Sequence, residues 1–316
     1  MVENLSRRKT LGIVIPLVFI FMLVLLFGSI NPRFLSIANL YNLIRQTSVL
    51  MIVAIGATFV ILMGSIDLSV GAIVTISGIV SALFVPRLGT GSIIIGVAIG
   101  GIAGAINGTV YVYGRVPSFL VTLAMGPILE GVALMICKGS PVVIKDMNFL
   151  KIASGKLIGN FPNIGIWALV IYCFFTFVAF RTRYGRYVFT IGAGEKATQF
   201  SGVSVRRIKI ITYFLSGFLS GLAGVLFSAR CQSGTPRMGE PFILDSIAAT
   251  VVGGTALTGG SGGPHRTILG VIIMGILSNG MNLLNVHPHV QIIIKGVVTI
   301  LAVTVTLDRS RLEFVK

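Results

Sequence analysis

From Leu11 to Ile30 the chain carries no charged side chain, and runs of this kind recur along most of its 316 residues. A helical apolar run of about 20 residues matches the hydrocarbon thickness of a bilayer. A helix also satisfies its own backbone polar groups there, which an irregular chain cannot do. The candidate spans are 11–30, 44–63, 68–86, 91–113, 117–137, 164–180, 210–229, 246–262, 267–285 and 290–307. The eighth is short and rich in glycine, so a broken helix or a tight turn is expected there. Hydrophobic residues make up 54% of the chain and charged residues 11%, against about 25% charged in a soluble domain. No soluble fold of this size buries so much apolar surface, and a β-barrel would show short alternating strands instead. The reading is an all-α integral membrane protein: one transmembrane domain, residues 1–316, of about ten helices.

The formal net charge is +16. In a soluble protein that balance would suggest nucleic acid; here Lys and Arg flank the spans, so they set topology and no nucleic-acid partner is implied. With alternating spans and the N-terminus inside, most of the 25 Lys and Arg fall on the inner side, including Arg7, Arg8, Lys9, Arg309, Arg311 and Lys316. That places both termini in the cytoplasm, makes 181–209 the main cytoplasmic loop and makes 138–163 the main external one. The first apolar run is longer than a signal-peptide core and lacks a clear cleavage site, so it reads as a retained helix. Cys137, Cys173 and Cys231 show no disulfide or metal spacing. His287 and His289 flank Pro288 in a short loop, which reads as a turn. No metal site is expected.

Several features stand out from the apolar background. Gly96, Gly100, Gly104 and Gly108 form an every-fourth-residue stripe, and Gly217, Ser220, Gly221 and Gly224 form a second small-residue face. Bare backbone on one helix face lets a neighbouring helix approach closely. The segment Gly64-Ser65-Ile66-Asp67-Leu68-Ser69-Val70-Gly71 joins two apolar runs with almost no polar loop. Asp67 is placed to cap the third span by accepting backbone N–H groups; a direct role in substrate or ion binding is the sharper alternative. Asp245 likewise precedes the eighth span, and six glycines crowd 253–263, beginning with Gly253 and Gly254. Glu130 and Lys295 are charges within spans, and such charges normally face a partner or a cavity. A Glu130–Lys295 pair is one arrangement open to them.

In the loop 181–209, Glu195 to Ser201 fits a short helix with an acid in its first turn, ended by Gly202. A solvated basic loop and a docking helix for a cytoplasmic motor are both consistent with it. A weak likeness between Gly96–Ile102 and Gly270–Ile276, in spans of opposite direction, fits an inverted repeat of the kind transporters use. No G-x-x-x-x-G-K-[ST] motif occurs, so this chain is not expected to bind ATP.

Taken in order, the Asp-Leu-Ser-Val-Gly element at 67–71, Arg115 to Leu123, the loop Ile191–Gly202 and Asp245–Gly260 resemble permease subunits of ABC importers for ribose and related monosaccharides. The resemblance covers nearly the whole chain. It implies a compact ten-helix type II importer fold and a permease dimer, formed by a second copy or a homologous chain. It further implies cytoplasmic ATPase subunits carrying ATP and Mg, an extracytoplasmic sugar-binding protein, and a cytoplasmic (inner) membrane location. Gly192, Glu195, Lys196, Ala197 and Gly202 match the coupling element that seats in the ATPase. Asp67, Leu68, Ser69, Gly71, Asp245, Gly253 and Gly254 match the membrane motifs. Ser65, Glu130 and Ile243 depart from the usual Gly, Arg and Glu. The competing reading is an ion-coupled secondary transporter, for which Asp67 and Glu130 would be the coupling carboxylates. A membrane-embedded enzyme would need a polar catalytic cluster at membrane depth, and the sequence offers none.

Overall fold

The computed structural model describes residues 2–306. Arg309, Arg311, Lys316 and the last residue of the 290–307 span lie outside the described residues. The helices are α1 (Val2–Ile30), α2 (Ile37–Leu62), α3 (Val70–Leu88), α4 (Ser92–Tyr113) and α5 (Ser118–Cys137). After them come α6 (Met147–Ser154), α7 (Asn163–Arg181), α8 (Arg183–Ala193), α9 (Glu195–Phe200) and α10 (Val205–Cys231). The chain closes with α11 (Pro241–Val252), α12 (Pro264–Leu283) and α13 (Pro288–Thr306). Four short strands accompany them among the described residues: β1 (Val142–Val143) pairs antiparallel with β4 (Ser233–Gly234), and β2 (Lys156–Ile158) with β3 (Phe161–Pro162).

Each expected span overlaps a helix, but among the described residues six helical segments are long and apolar enough to cross a membrane by length and composition. One of the six, Val70–Tyr113, is the α3–α4 hairpin, which folds back at Gly89. The expected eighth span of 246–262 is corrected. Its helix, α11, starts five residues earlier, where Pro241 occupies the first turn and needs no N–H partner. It stops at Val252: Gly253 keeps helical angles, but Gly254 takes φ +97°, which a helix cannot hold.

The centre of the molecule is α10. Its small-residue face meets the glycine stripe of α4: a Cβ on Gly100 would collide with the Gly217 carbonyl, and one on Gly104 with the Tyr213 carbonyl. In a bilayer the helices gain little hydrophobic energy from one another, so such close backbone packing supplies much of the association. The packing has a two-fold pattern. α10 lies on α3 and α4 as α2 lies on α12 and α11, and α3 contacts α5 as α11 contacts α13.

The connections segregate to two ends of the bundle. At one end, Ile144 N–H donates to the Gln232 carbonyl (2.9 Å), beside the β1–β4 pair. There Arg230 also donates to the Arg45 carbonyl (3.1 Å). At the other end lie the α2–α3 turn, the α4–α5 link, the 181–209 segment and the glycine loop 253–263. This is the grouping that alternating spans require. Within the first end, Asp146 caps α6 by accepting from Asn148 and Phe149 N–H at 2.8 and 3.0 Å.

Candidate functional site: the junction of the 64–71 turn, the short helix α9 and the glycine loop

At the second end of the bundle α2 stops at Leu62, and Gly64 turns the chain with φ +74°. The Leu62 carbonyl, freed by the end of its helix, accepts from Gly260 N–H at 2.9 Å. Gly192, near the end of α8, lies against that same carbonyl and the Gly259–Gly260 backbone, and a Cβ on it would collide with both. Three segments singled out separately in the sequence thus meet backbone to backbone. The loop can take this shape because Gly254, Gly259, Gly260, Gly262 and Gly263 all adopt positive φ, a region costly to residues with a Cβ. Arg266 pins it by donating from Nη1 to the Gly254 carbonyl (3.0 Å), and Gly253 abuts the Arg266 carbonyl.

Asp67 is buried, and it does not cap α3 in the expected manner. Its Oδ1 accepts from Ser69 N–H (3.0 Å) and Ser69 Oγ (2.6 Å), closing a two-residue side-chain turn ahead of the helix. Its Oδ2 accepts from Ser216 Oγ of α10 (3.0 Å). Asn107 of α4 donates to Ser69 Oγ (2.7 Å). On the α5 side, Ile66 N–H donates to Ser118 Oγ (3.3 Å) and Leu68 N–H to Thr122 Oγ1 (3.0 Å). Tyr213 of α10 donates to the Ile66 carbonyl (3.0 Å). An unwound stretch buried between helices needs such partners for its backbone. Gly71 follows at the start of α3, where a Cβ would press on Ile243 and the Gly239 carbonyl of the α11 approach.

The 181–209 segment holds two helices. In α8, Gly185, Val188 and Ile191 form the buried face. Tyr184 stacks on Phe59 (5.9 Å between centroids), and its hydroxyl pairs with Thr212 Oγ1 at 2.7 Å. Beyond Gly194, α9 runs from Glu195 to Phe200, and Gly202 with φ +82° ends it, as the sequence predicts. Lys196, Ala197 and Gln199 are exposed, and Phe200 is 90% exposed. Glu195 accepts from Lys209 Nζ at 2.7 Å; the Lys209 side chain is 9% exposed and that of Glu195 51%. Lys209 Nζ also sits 4.6 Å from the centre of the Tyr111 ring. Beside α9 opens a cleft of about 540 Å³ whose lining includes Tyr111, Arg115, Glu195, Gln199, Arg206 and Lys209.

The intramembrane charges pair differently from the expectation. Lys295 of α13 donates to Asp245 Oδ2 of α11 at 2.7 Å, with both side chains largely buried. Asp245 lies within α11 rather than before it, facing α13, and so takes the partner offered to Glu130 in the sequence reading. Glu130, on α5, is half-buried. Neither it nor the Asp245–Lys295 pair belongs to the junction. Tyr111, Lys209 and Ser216, which do, were not singled out by sequence.

Residues 39–303 match the family described as branched-chain amino acid transport system, permease component. The chain belongs to that family of membrane permeases. It is 39% identical over 300 residues to the ribose import permease protein of Escherichia coli strain K12, covering 92% of each chain. It is also 39% identical to the ribose import permease protein of Bacillus subtilis strain 168, over 94% of this chain and 92% of that one. The D-allose transport system permease protein of E. coli is 33% identical, over 91% and 89%. No solved structure matches the chain.

Proposed function

We propose that this protein is the permease subunit of an ATP-driven monosaccharide importer, with ribose the first sugar to test. The observation that carries this is the end-to-end likeness to two ribose import permeases at 39% identity. The junction supports it independently: a short, exposed helix with an apolar tip is what a separate motor needs for a handle. α9 is that coupling helix, with Glu195, Lys196 and Ala197 on its accessible turn, Gly202 ending it and Gly192 anchoring the helix before it.

The remaining parts of the reading follow. The chain crosses the cytoplasmic membrane ten times, both termini lie in the cytoplasm, and the two-fold packing of α2–α5 against α10–α13 is the inverted repeat of a type II importer. Two ATPase subunits bind ATP and Mg beneath α9, while this chain holds no cofactor. An extracytoplasmic sugar-binding protein delivers substrate to the opposite end, and a second permease chain completes the path. Closure of the ATPase pair on ATP shifts the two α9 helices, and the spans tilt between outward- and inward-open states. ATP biases these states only because its motor contacts them differently.

An ion-coupled mechanism is not favoured. Asp67 is engaged by Ser69 and Ser216, and it serves to hold the 64–69 turn. Expression in a host lacking its own ribose permease tests the proposal: radiolabelled ribose uptake should return only when the chain is present with its ATPase and binding protein. Uptake of neither ribose, allose nor arabinose would overturn it.

A further inference from the structure

We propose that Lys209 and Tyr111 form the strut that carries displacement of α9 into the membrane, making them positioning residues for coupling. This rests on the reading of α9 as the ATPase-docking helix. Among the described residues, one side-chain hydrogen bond ties α9 to another element, and it is Glu195 to Lys209. Other side-chain bonds in α9 close on its own turn, such as Thr198 Oγ1 to the Gly194 carbonyl (2.9 Å).

Lys209 is the first link. Its side chain is 9% exposed, so losing Glu195 would leave a largely buried ammonium without its carboxylate, which is costly. It therefore follows Glu195 when α9 moves. The second link is Tyr111, whose ring face holds the same ammonium. The Tyr111 hydroxyl accepts from Ser65 Oγ at 3.3 Å, and its ring lies edge-on to Tyr213 at 5.7 Å. Tyr213 in turn holds the Ile66 carbonyl. Both tyrosines therefore end on residues 65 and 66 of the α2–α3 turn.

That turn is the third link. Its backbone N–H groups at Ile66 and Leu68 are gripped by Ser118 and Thr122 at the start of α5. A path of direct contacts thus runs from an exposed cytoplasmic helix to a membrane helix outside the central α2–α10 core. The covalent chain joins α9 to α10 through residues 201–204, and Gly192 of α8 lies against the Leu62 carbonyl; the strut adds to these a side-chain route that ends on residues 65 and 66.

The test uses the complex purified with its ATPase, together with ribose uptake in cells. Lys209→Met and Tyr111→Leu should retain the ATPase at the wild-type ratio and hydrolyse ATP. Sugar moved per ATP should fall about tenfold or more, in the usual range of coupling between sites. Lys209→Arg, which keeps the charge, should recover most of the ratio. Tyr111→Phe keeps the ring but loses the Ser65 contact, and should fall between. If Lys209→Met or Tyr111→Leu fails to fold, the two conservative variants decide: full coupling in Tyr111→Phe together with uncoupling in Lys209→Arg contradicts the strut. An unchanged ratio in Lys209→Met and Tyr111→Leu overturns the proposal. Loss of the bound ATPase in Lys209→Met also overturns it, by placing Lys209 in the docking surface. If the wild type itself brings down no ATPase, the functional reading of α9 fails and the strut falls with it.

Discussion

Asp67 shows how one side chain organises the junction. Its two oxygens hold Ser69 and Ser216, so an unwound turn stays fixed against α10. Asp67→Ala strands the buried Ser69 N–H, at a cost of about 1–3 kcal/mol, and should lower the melting temperature in detergent. Asp67→Asn keeps an acceptor for Ser69, while Ser216 can turn to accept from the new amide, so it should melt close to wild type. Equal losses in the two variants would show that charge, rather than hydrogen bonding, matters there. Lys295 and Asp245 make the second residue-scale case. Removing either leaves the other buried and unpaired, which costs about 3–5 kcal/mol. A charge swap between them should restore part of that stability, and a swap between Glu130 and Lys295 should restore none. The sequence marked Glu130 and Lys295 as charges within spans and set Asp245 just ahead of one, but pairing depends on which helices meet. The contact between α11 and α13 is a tertiary fact that no spacing reveals.

At the scale of elements, long apolar runs made the helices legible while their ends were less so. Pro241 was a usable start signal for α11, and the long uncharged run from Ser246 to Gly263 masked it. α8 was read as loop because its polar residues hide a one-sided pattern: Gly185, Val188 and Ile191, spaced three apart, are the residues it buries. The small-residue stripes were legible because their meaning is geometric, and α4 meets α10 through them. Gly100→Leu should therefore force the two helices apart, costing at least the 1–3 kcal/mol or so of ordinary overpacking, read as reduced folded yield and an earlier melt. Gly126→Leu on α5, where a Cβ meets nothing within 4 Å, should have little effect by the same measure. α9 makes a separate prediction. Phe200→Ala removes an exposed apolar tip that touches little in this chain, so the melt should not move while ATPase capture falls severalfold, as loss of an interface anchor would cause.

For the whole molecule, the arrangement places a rigid helical core between two differently built ends. One end is tied by short strands and the capped helix α6. The other gathers the 64–71 turn, the glycine loop and α9, whose sequence signals lie far apart in the chain. Their separate peculiarities (a buried acid, clustered glycines, an acid-led short helix) were readable one at a time. That they form one junction was not, because Gly192 reaches Leu62 and Gly260 only after α8 folds back on α2. The most direct test of the account is purification of the tagged protein in mild detergent from its native membrane, with mass spectrometry of the proteins that accompany it. The account predicts an ATPase bearing a Walker A motif, lost when Phe200 and Ala197 are replaced by charged residues that leave the melt unchanged. A stable, transport-active protein that brings down no ATPase, and whose sugar uptake collapses with the proton gradient while ATP is held constant, would contradict it.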